Sequence, residues 1–326
     1  MTPAWVAGMD MGGTNIRCAA VSVDGEVLMM ERGPSKASLE AGAVAENIAG
    51  QIEHLLESAR RRGLGSPRAI GAAVPGPLDV FRGTVMAAPH VAAWRGYPLR
   101  KRLETLLGRR VELENDANGW ALGEFWRGAA SGRRDVVLMT LGTGIGGGVI
   151  VGGKLLHGQS GMAGELGHVT VDPGGMRCDC GAHGCIEAYA SASGLRGLIE
   201  QRLGIERGGP LPDHLIDSEG NFSVRGMATE ARRGNRLVLE TFAVAGRYLG
   251  IAVASFLNIF NPELVVLGGG VSGALPYMRR TMEEQVRERT FAPVRAQAKI
   301  VRAALGPKGG VVGAAYAALH PVSRAK

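Results

Sequence analysis

Residues 5–31, WVAGMDMGGTNIRCAAVSVDGEVLMME, and residues 135–151, DVVLMTLGTGIGGGVIV, share one plan: an apolar strand, a glycine turn and a second apolar strand. Aliphatic runs bounded by glycine read as strands, and Asp24-Gly25 is a hairpin signal that adds a third strand to the first copy. The two copies start about 130 residues apart, a spacing that predicts two similar α/β halves. Halves of this kind facing one another would leave a cleft between them, the natural place for a ligand.

Working outward, hydrophobic periodicity predicts a long helix over residues 39–62, a strand over 68–74, a basic helix over 99–107, a strand over 111–114 and a helix over 117–125. The later part adds helices over 237–260 and 275–289, strands over 263–267 and 299–302, and a helix of small residues over 309–319. Residues 204–220, polar and rich in Gly and Pro, read as an exposed loop or insertion.

The composition is that of a folded globular chain, with 326 residues, 45% hydrophobic and 21% charged. The net charge of +7 rests on arginines scattered through ESARRRGLG, RKRLETLLGRR and RRTMEEQVRER, which read as solvated faces. Without aromatic residues between them they predict no nucleic-acid partner. The opening MTPAWVAGMD lacks a basic segment followed by an apolar core, so no signal peptide is expected. The apolar run over residues 248–262 is too short to span a bilayer and reads as a buried helix, so a cytoplasmic protein without membrane contact is expected. Of four cysteines, Cys18 lies in the apolar run RCAAVSV and the other three cluster, so no disulfide framework is implied.

The turn Gly142-Thr143-Gly144-Ile145-Gly146-Gly147 matches G-x-G-x-x-G after a strand. A dinucleotide site needs a helix to start at those glycines, whereas GGVIV continues as a strand, so that reading fails. No G-x-x-x-x-G-K-[ST] occurs either. In the first turn, Gly12 and Gly13 let backbone N–H groups approach phosphate oxygens, Thr14 adds a hydroxyl, and Asp10 at the strand end can hold hydrated Mg2+. A tight hairpin also needs glycine, so either turn alone leaves both readings open. Gly268-Gly269-Gly270, after the strand ELVVL, could border a nucleotide or simply turn the chain.

Residues 164–187, GELGHVTVDPGGMRCDCGAHGCIE, concentrate ligand chemistry. Cys178, Cys180 and Cys185 can wrap one tetrahedral ion, and His168, ten residues upstream of Cys178, supplies a fourth ligand. Such a zinc has no open position for water, so it would brace the loop and aim Glu165, His168 and Glu187. His183 reads as a surface residue. At residues 114–118, ENDAN follows a strand and opens a helix. Asp116 can accept a proton from an attacking hydroxyl, but Asp116 or Asn115 can equally cap the helix.

Together DMGGT, PGPLD, ENDANGWALGE, LGTGIGGG, GMAGELGH, CDCGAHGCIEAYAS and NPELVVLGGGVSG resemble the ROK family of repressors, open reading frames and sugar kinases, over nearly the whole chain. The resemblance implies a two-lobed, actin-like (ribonuclease H-like) ATPase fold with a cleft between the lobes. The small lobe would be residues 1–117 with the C-terminal helix at about 307–326, and the large lobe residues 118–306 with the zinc loop. It further implies a homodimer that transfers the γ-phosphoryl group of ATP, with Mg2+, to the 6-hydroxyl of a hexose, glucose first. Asp116 becomes the general base, and Gly76, Asn115, Glu165, His168 and Glu187 grip the sugar. Asp10, Gly12, Gly13, Thr14, Thr143 and Gly144 hold phosphates and Mg2+, while Gly269 and Gly270 border adenosine. Where glucose-phosphorylating relatives often carry Pro-Asn-Leu before a Trp, this chain has Pro89-His90-Val91-Ala92-Ala93-Trp94. N-acetylmannosamine, fructose and allose are the alternative acceptors, and polyphosphate the alternative donor. A sugar-responsive repressor would need a DNA-binding helix-turn-helix ahead of the first strand, which here begins by Trp5.

Overall fold

The computed structural model describes residues 3–87 and 94–323, so the stretch from Pro89 to Ala93, with His90, lies outside the described residues. Two compact units are present: residues 1–133, 154–164 and 304–326 form unit 1, and residues 134–153 and 165–303 form unit 2.

Unit 1 opens with β1 (Trp5–Met11), β2 (Asn15–Ser22) and β3 (Val27–Pro34), followed by α1 (Ala41–Arg61) and β4 (Ile70–Val74). Two short strands, β5 (Leu78–Asp79) and β6 (Thr84–Val85), precede α2 (Leu99–Leu107), β7 (Val111–Asn115) and α3 (Asp116–Arg127). The sheet order is β3-β2-β1-β4-β7, antiparallel from β3 to β1 and parallel from β1 to β7. The apolar stripe of α1, with Val44, Ile48, Ile52 and Leu55 three or four residues apart, is fully buried.

Unit 2 repeats the plan. Its strands are β8 (Val136–Leu141) and β9 (Ile145–Val151), then β11 (Leu264–Gly268) and β12 (Lys299–Arg302), while the short β10 (Lys154–Leu155) falls in the stretch assigned to unit 1. β9 and β8 are antiparallel, and β8, β11 and β12 are parallel. The helices are α4 (Glu187–Ala190), α5 (Ala192–Leu203), α6 (Val224–Arg232), α7 (Arg236–Phe260), α8 (Leu275–Arg289) and α9 (Ala292–Gln297). α7 is long and apolar enough to cross a membrane by length and composition, yet it packs along α8 and buries Phe242, Leu249, Val253 and Phe256 in the core of unit 2. The stretch 204–220 is more than an exposed loop: Leu211 and Leu215 are buried in that core.

The last helix, α10 (Gly309–Leu319), belongs to unit 1 and packs against β1, β4 and α3. Its small residues let backbone meet backbone. A Cβ at Gly71 in β4 would overlap the Ala314 carbonyl of this helix, so the seat excludes any side chain there.

Parallel strands deliver their C-terminal ends to one edge of a sheet. In unit 1 the pairs Asp10↔Ala73 and Val74↔Asn115 put Asp10, the turn with Gly76, and Asn115 at that edge. In unit 2 the pair Gly268↔Thr140 does the same for the Gly142 turn and for Gly269-Gly270.

Candidate functional site

In unit 1 the turn between β1 and β2 is closed by the Gly12 N–H donating to the Asn15 carbonyl (2.8 Å), with Gly13 and Thr14 exposed at its tip. Ser35 fastens it from behind: its hydroxyl donates to the Gly13 carbonyl (2.7 Å) and its N–H to the Thr14 carbonyl (3.0 Å). Asp10 lies below the turn, its Oδ2 3.4 Å from the guanidinium of Arg17. Burial raises the Asp10 carboxyl above the ordinary range, and Arg17 offsets this only in part.

The β7–α3 junction settles which of two adjacent residues caps the helix. Asn115 keeps extended backbone (ψ 147°), and its Oδ1 accepts from the N–H groups of Ala117 (2.9 Å) and Asn118 (3.1 Å). Its Nδ2 donates to the carbonyl of Gly76 (3.0 Å), a residue at φ 94° in the turn after β4. Asp116 is the first residue of α3, and its Oδ1 also accepts from the Ala117 N–H (2.9 Å). Behind the junction lies a carboxylate that sequence reading passed over. Glu114 is 3% exposed in its side chain, accepts at Oε1 from the Asn115 N–H and the Asn118 amide, and meets His157 at Oε2. Its trace in the sequence is one of two glutamates in the short strand VELEN, where a buried charge demands partners.

Unit 2 gathers the cysteine cluster. The ligand atoms of His168, Cys178, Cys180 and Cys185 all lie within 4.8 Å of one another, a set that could hold a metal ion, and His183 is outside it. His168 Nδ1 stands 3.7 Å from Cys178 Sγ, and Cys180 and Cys185 are 3.7 Å apart, all three thiols free. Burial pushes the Cys178 thiol up to about 12, whereas the Ala182 N–H holds Cys180 below its usual value. A bound cation would override these values by favouring every thiolate.

Glu187 links the cluster to the glycine turn. Its Oε1 is 3.7 Å from Cys178 Sγ, and its Oε2 accepts from the Ile145 N–H (2.8 Å). A Cβ on Gly144 would collide with this carboxylate, which gives that glycine a packing role within unit 2. Glu165, at the start of the short 3₁₀ turn that bears His168, is within electrostatic reach of both neighbours. Partial burial raises its carboxyl, His168 pulls it back and Glu187 adds to the rise.

The β8–β9 turn rests on the N-terminus of α5, which sequence reading missed together with α6. The carbonyls of Gly142 and Thr143 accept from Ala192 (2.8 Å) and from the Ser193 hydroxyl (2.9 Å), and buried Ser191 caps α5 at Gly194. Thr143 itself is exposed. Gly269, at φ 82°, is pressed against the Leu141 backbone, while a Cβ on Gly270 would meet open space.

The ROK family model matches residues 6–320 of this chain. A glucokinase of Halalkalibacterium halodurans is 34% identical over 97% of this chain and 95% of its own length. A glucokinase of Thermotoga maritima is 36% identical, over 94% of this chain and 95% of its own. Among solved structures, a ROK family glucokinase from Streptomyces griseus in complex with glucose and AMPPNP matches with a TM-score of 0.80 and 32% identity. That match covers 97% of this chain and 100% of the other, and it identifies the repeated α/β units as those of the actin-like fold.

Proposed function

The chain belongs to the ROK family, and from that premise we propose that it is a hexose kinase that transfers the γ-phosphoryl group of ATP to the 6-hydroxyl of glucose. The observation that carries the chemistry is the division of labour at the β7–α3 junction. Asn115 satisfies the helix N-terminus and the Gly76 carbonyl, so the neighbouring Asp116 is not required as the cap. Asp116 then takes the proton of the sugar hydroxyl as the oxygen attacks phosphorus. A new O–P bond forms, the bond to the β-phosphate oxygen breaks, and ADP leaves.

By the family resemblance Asp10, Gly12, Gly13, Thr14, Thr143 and Gly144 would hold phosphate, with Gly269 and Gly270 beside adenosine. The open space at Gly270 supports the last assignment. Asp10 would hold Mg2+, whose role is to neutralise charge on the phosphates. An aspartate kept above its ordinary range by burial fits that role, because a cation would favour its charged form. Gly76, Asn115, Glu165, His168 and Glu187 bind the sugar hydroxyls. Zn2+ would be held by His168, Cys178, Cys180 and Cys185. For metal–sulfur bonds of about 2.3 Å a tetrahedron has sulfur–sulfur edges of about 3.8 Å, and the 3.7 Å between Cys180 and Cys185 fits it. With four protein ligands, such a metal would fix the loop and leave phosphoryl transfer to Asp116.

The same reading makes the protein a cytoplasmic homodimer, which sedimentation at several concentrations checks. The function is tested by coupled ADP release over a panel of glucose, N-acetylmannosamine, fructose and allose, with polyphosphate as a second donor. Highest kcat/KM with glucose and ATP is expected. A clear preference for another sugar reassigns the acceptor, and turnover indifferent to every sugar overturns the kinase.

A further inference from the structure

The chain leaves unit 2 after Gly153, runs through unit 1 as residues 154–164 and re-enters unit 2 at Glu165. Glycines at positive φ flank this strap, Gly152 (59°) and Gly153 (80°) before it and Gly164 (93°) at its end. Gly158 (69°) and Gly161 (81°) within it share this conformation, which glycine adopts at little cost.

Two attachments anchor it to unit 1. At Gly161 the backbone lies so close to Leu78 and Val80 that no Cβ fits. At His157, Nε2 donates to Glu114 Oε2 at 2.8 Å, with only 15% of the imidazole side chain exposed, and the ring meets Phe81 edge-on. The other oxygen of Glu114 is already committed. It accepts from the Asn115 N–H (3.0 Å) and from Asn118 Nδ2 (3.1 Å), and this orientation leaves Asn118 Oδ1 buried without a partner among the described residues. One buried carboxylate thus serves the strap with one oxygen and both flanks of Asp116 with the other. A buried charge that loses a donor rearranges toward those that remain.

We propose that His157 is a positioning residue: through Glu114 it fixes the turn from Asn115 to Asn118, and with it the carboxylate of Asp116. The inference rests on the reading of Asp116 as the base.

Two variants separate this role from bulk packing. In His157→Asn the amide nitrogen falls short of the place of Nε2, whereas in His157→Gln it reaches it. His157→Asn should lower kcat about 10- to 100-fold and raise the sugar KM by less than that, because a misplaced base costs the transition state most while Asn115 shares the disturbed turn. His157→Gln should recover kcat to within about threefold of wild type, and amides of residues 154–164 should exchange faster in the Asn variant than in the Gln variant. Wild-type kcat in His157→Asn overturns the proposal, and so does a Gln variant as slow as the Asn variant. Asp116→Asn run in parallel keeps the two ideas apart: retained turnover there defeats the base assignment, whereas its loss beside an active His157→Asn defeats the positioning role alone.

Discussion

Asn115 and Asp116 are neighbours with different duties, and either residue type is at home at a helix start. The sequence ENDAN therefore left the cap undecided. Only the extended backbone of Asn115 and its grip on Gly76 assign it. Asp116→Asn should bind sugar and melt like wild type while turnover falls about 10²- to 10⁴-fold, the usual contribution of a general base, and steady-state kinetics beside a thermal melt checks it. Asn115→Ala should cost about 1 kcal/mol of stability from the lost cap, with a further loss from the orphaned Gly76 contact, as a denaturant melt would read. Asp10 carries the opposite sign. Its carboxyl is raised by burial, so the stability tied to its neutral form is present below the unfolded value and lost as pH rises through the folded value. Asp10→Asn should therefore be at least as stable as wild type at neutral pH, the advantage shrinking as pH falls into the ordinary carboxylate range. Melts across pH would show the reverse trend if burial were not the dominant cause.

At the scale of elements, the cysteine loop was the most legible part of the chain, because ligand spacing is a local property that sequence displays. The two strand–turn–strand units were legible for the same reason, since alternation and glycine turns are local too. What braces the loop was hidden, because it comes from far along the chain. Asp172 accepts from Tyr248 (2.8 Å) and Tyr189 (3.3 Å), whose rings stack 3.8 Å apart. Tyr189 in turn accepts from the Met176 N–H (2.8 Å). α5 escaped for another reason: its helical signal is weak, and it is placed by contact with the carbonyls of Gly142 and Thr143. Removing the metal with a chelator, or Cys178→Ser, should weaken sugar binding and lower the melting temperature. The tyrosine brace should keep far-ultraviolet circular dichroism near wild type in the same samples. If chelation changed neither sugar affinity nor melting, the structural metal would be refuted.

At the scale of the molecule, unit 1 is assembled from three separate stretches of chain, a partition that local periodicity cannot express. Glu124 joins two of them. Fully buried in α3, it accepts from the N–H groups of Ala129 (2.8 Å), Ala304 (3.0 Å) and Leu305 (2.7 Å). Glu124→Ala takes the acceptor from three backbone N–H groups at once and should cost about 2 kcal/mol, measured by urea unfolding.

The seat of α10 sets the order in which unit 1 can be completed during synthesis. β1, β4 and β7 leave the ribosome early, yet the helix that packs against β1 and β4 follows the whole of unit 2 in the sequence. Until residues 309–319 emerge, the small side chains and bare glycines made for that helix stay open to water and to neighbouring nascent chains. The face of the first sheet that this helix covers stays open until the chain has been made through residue 319.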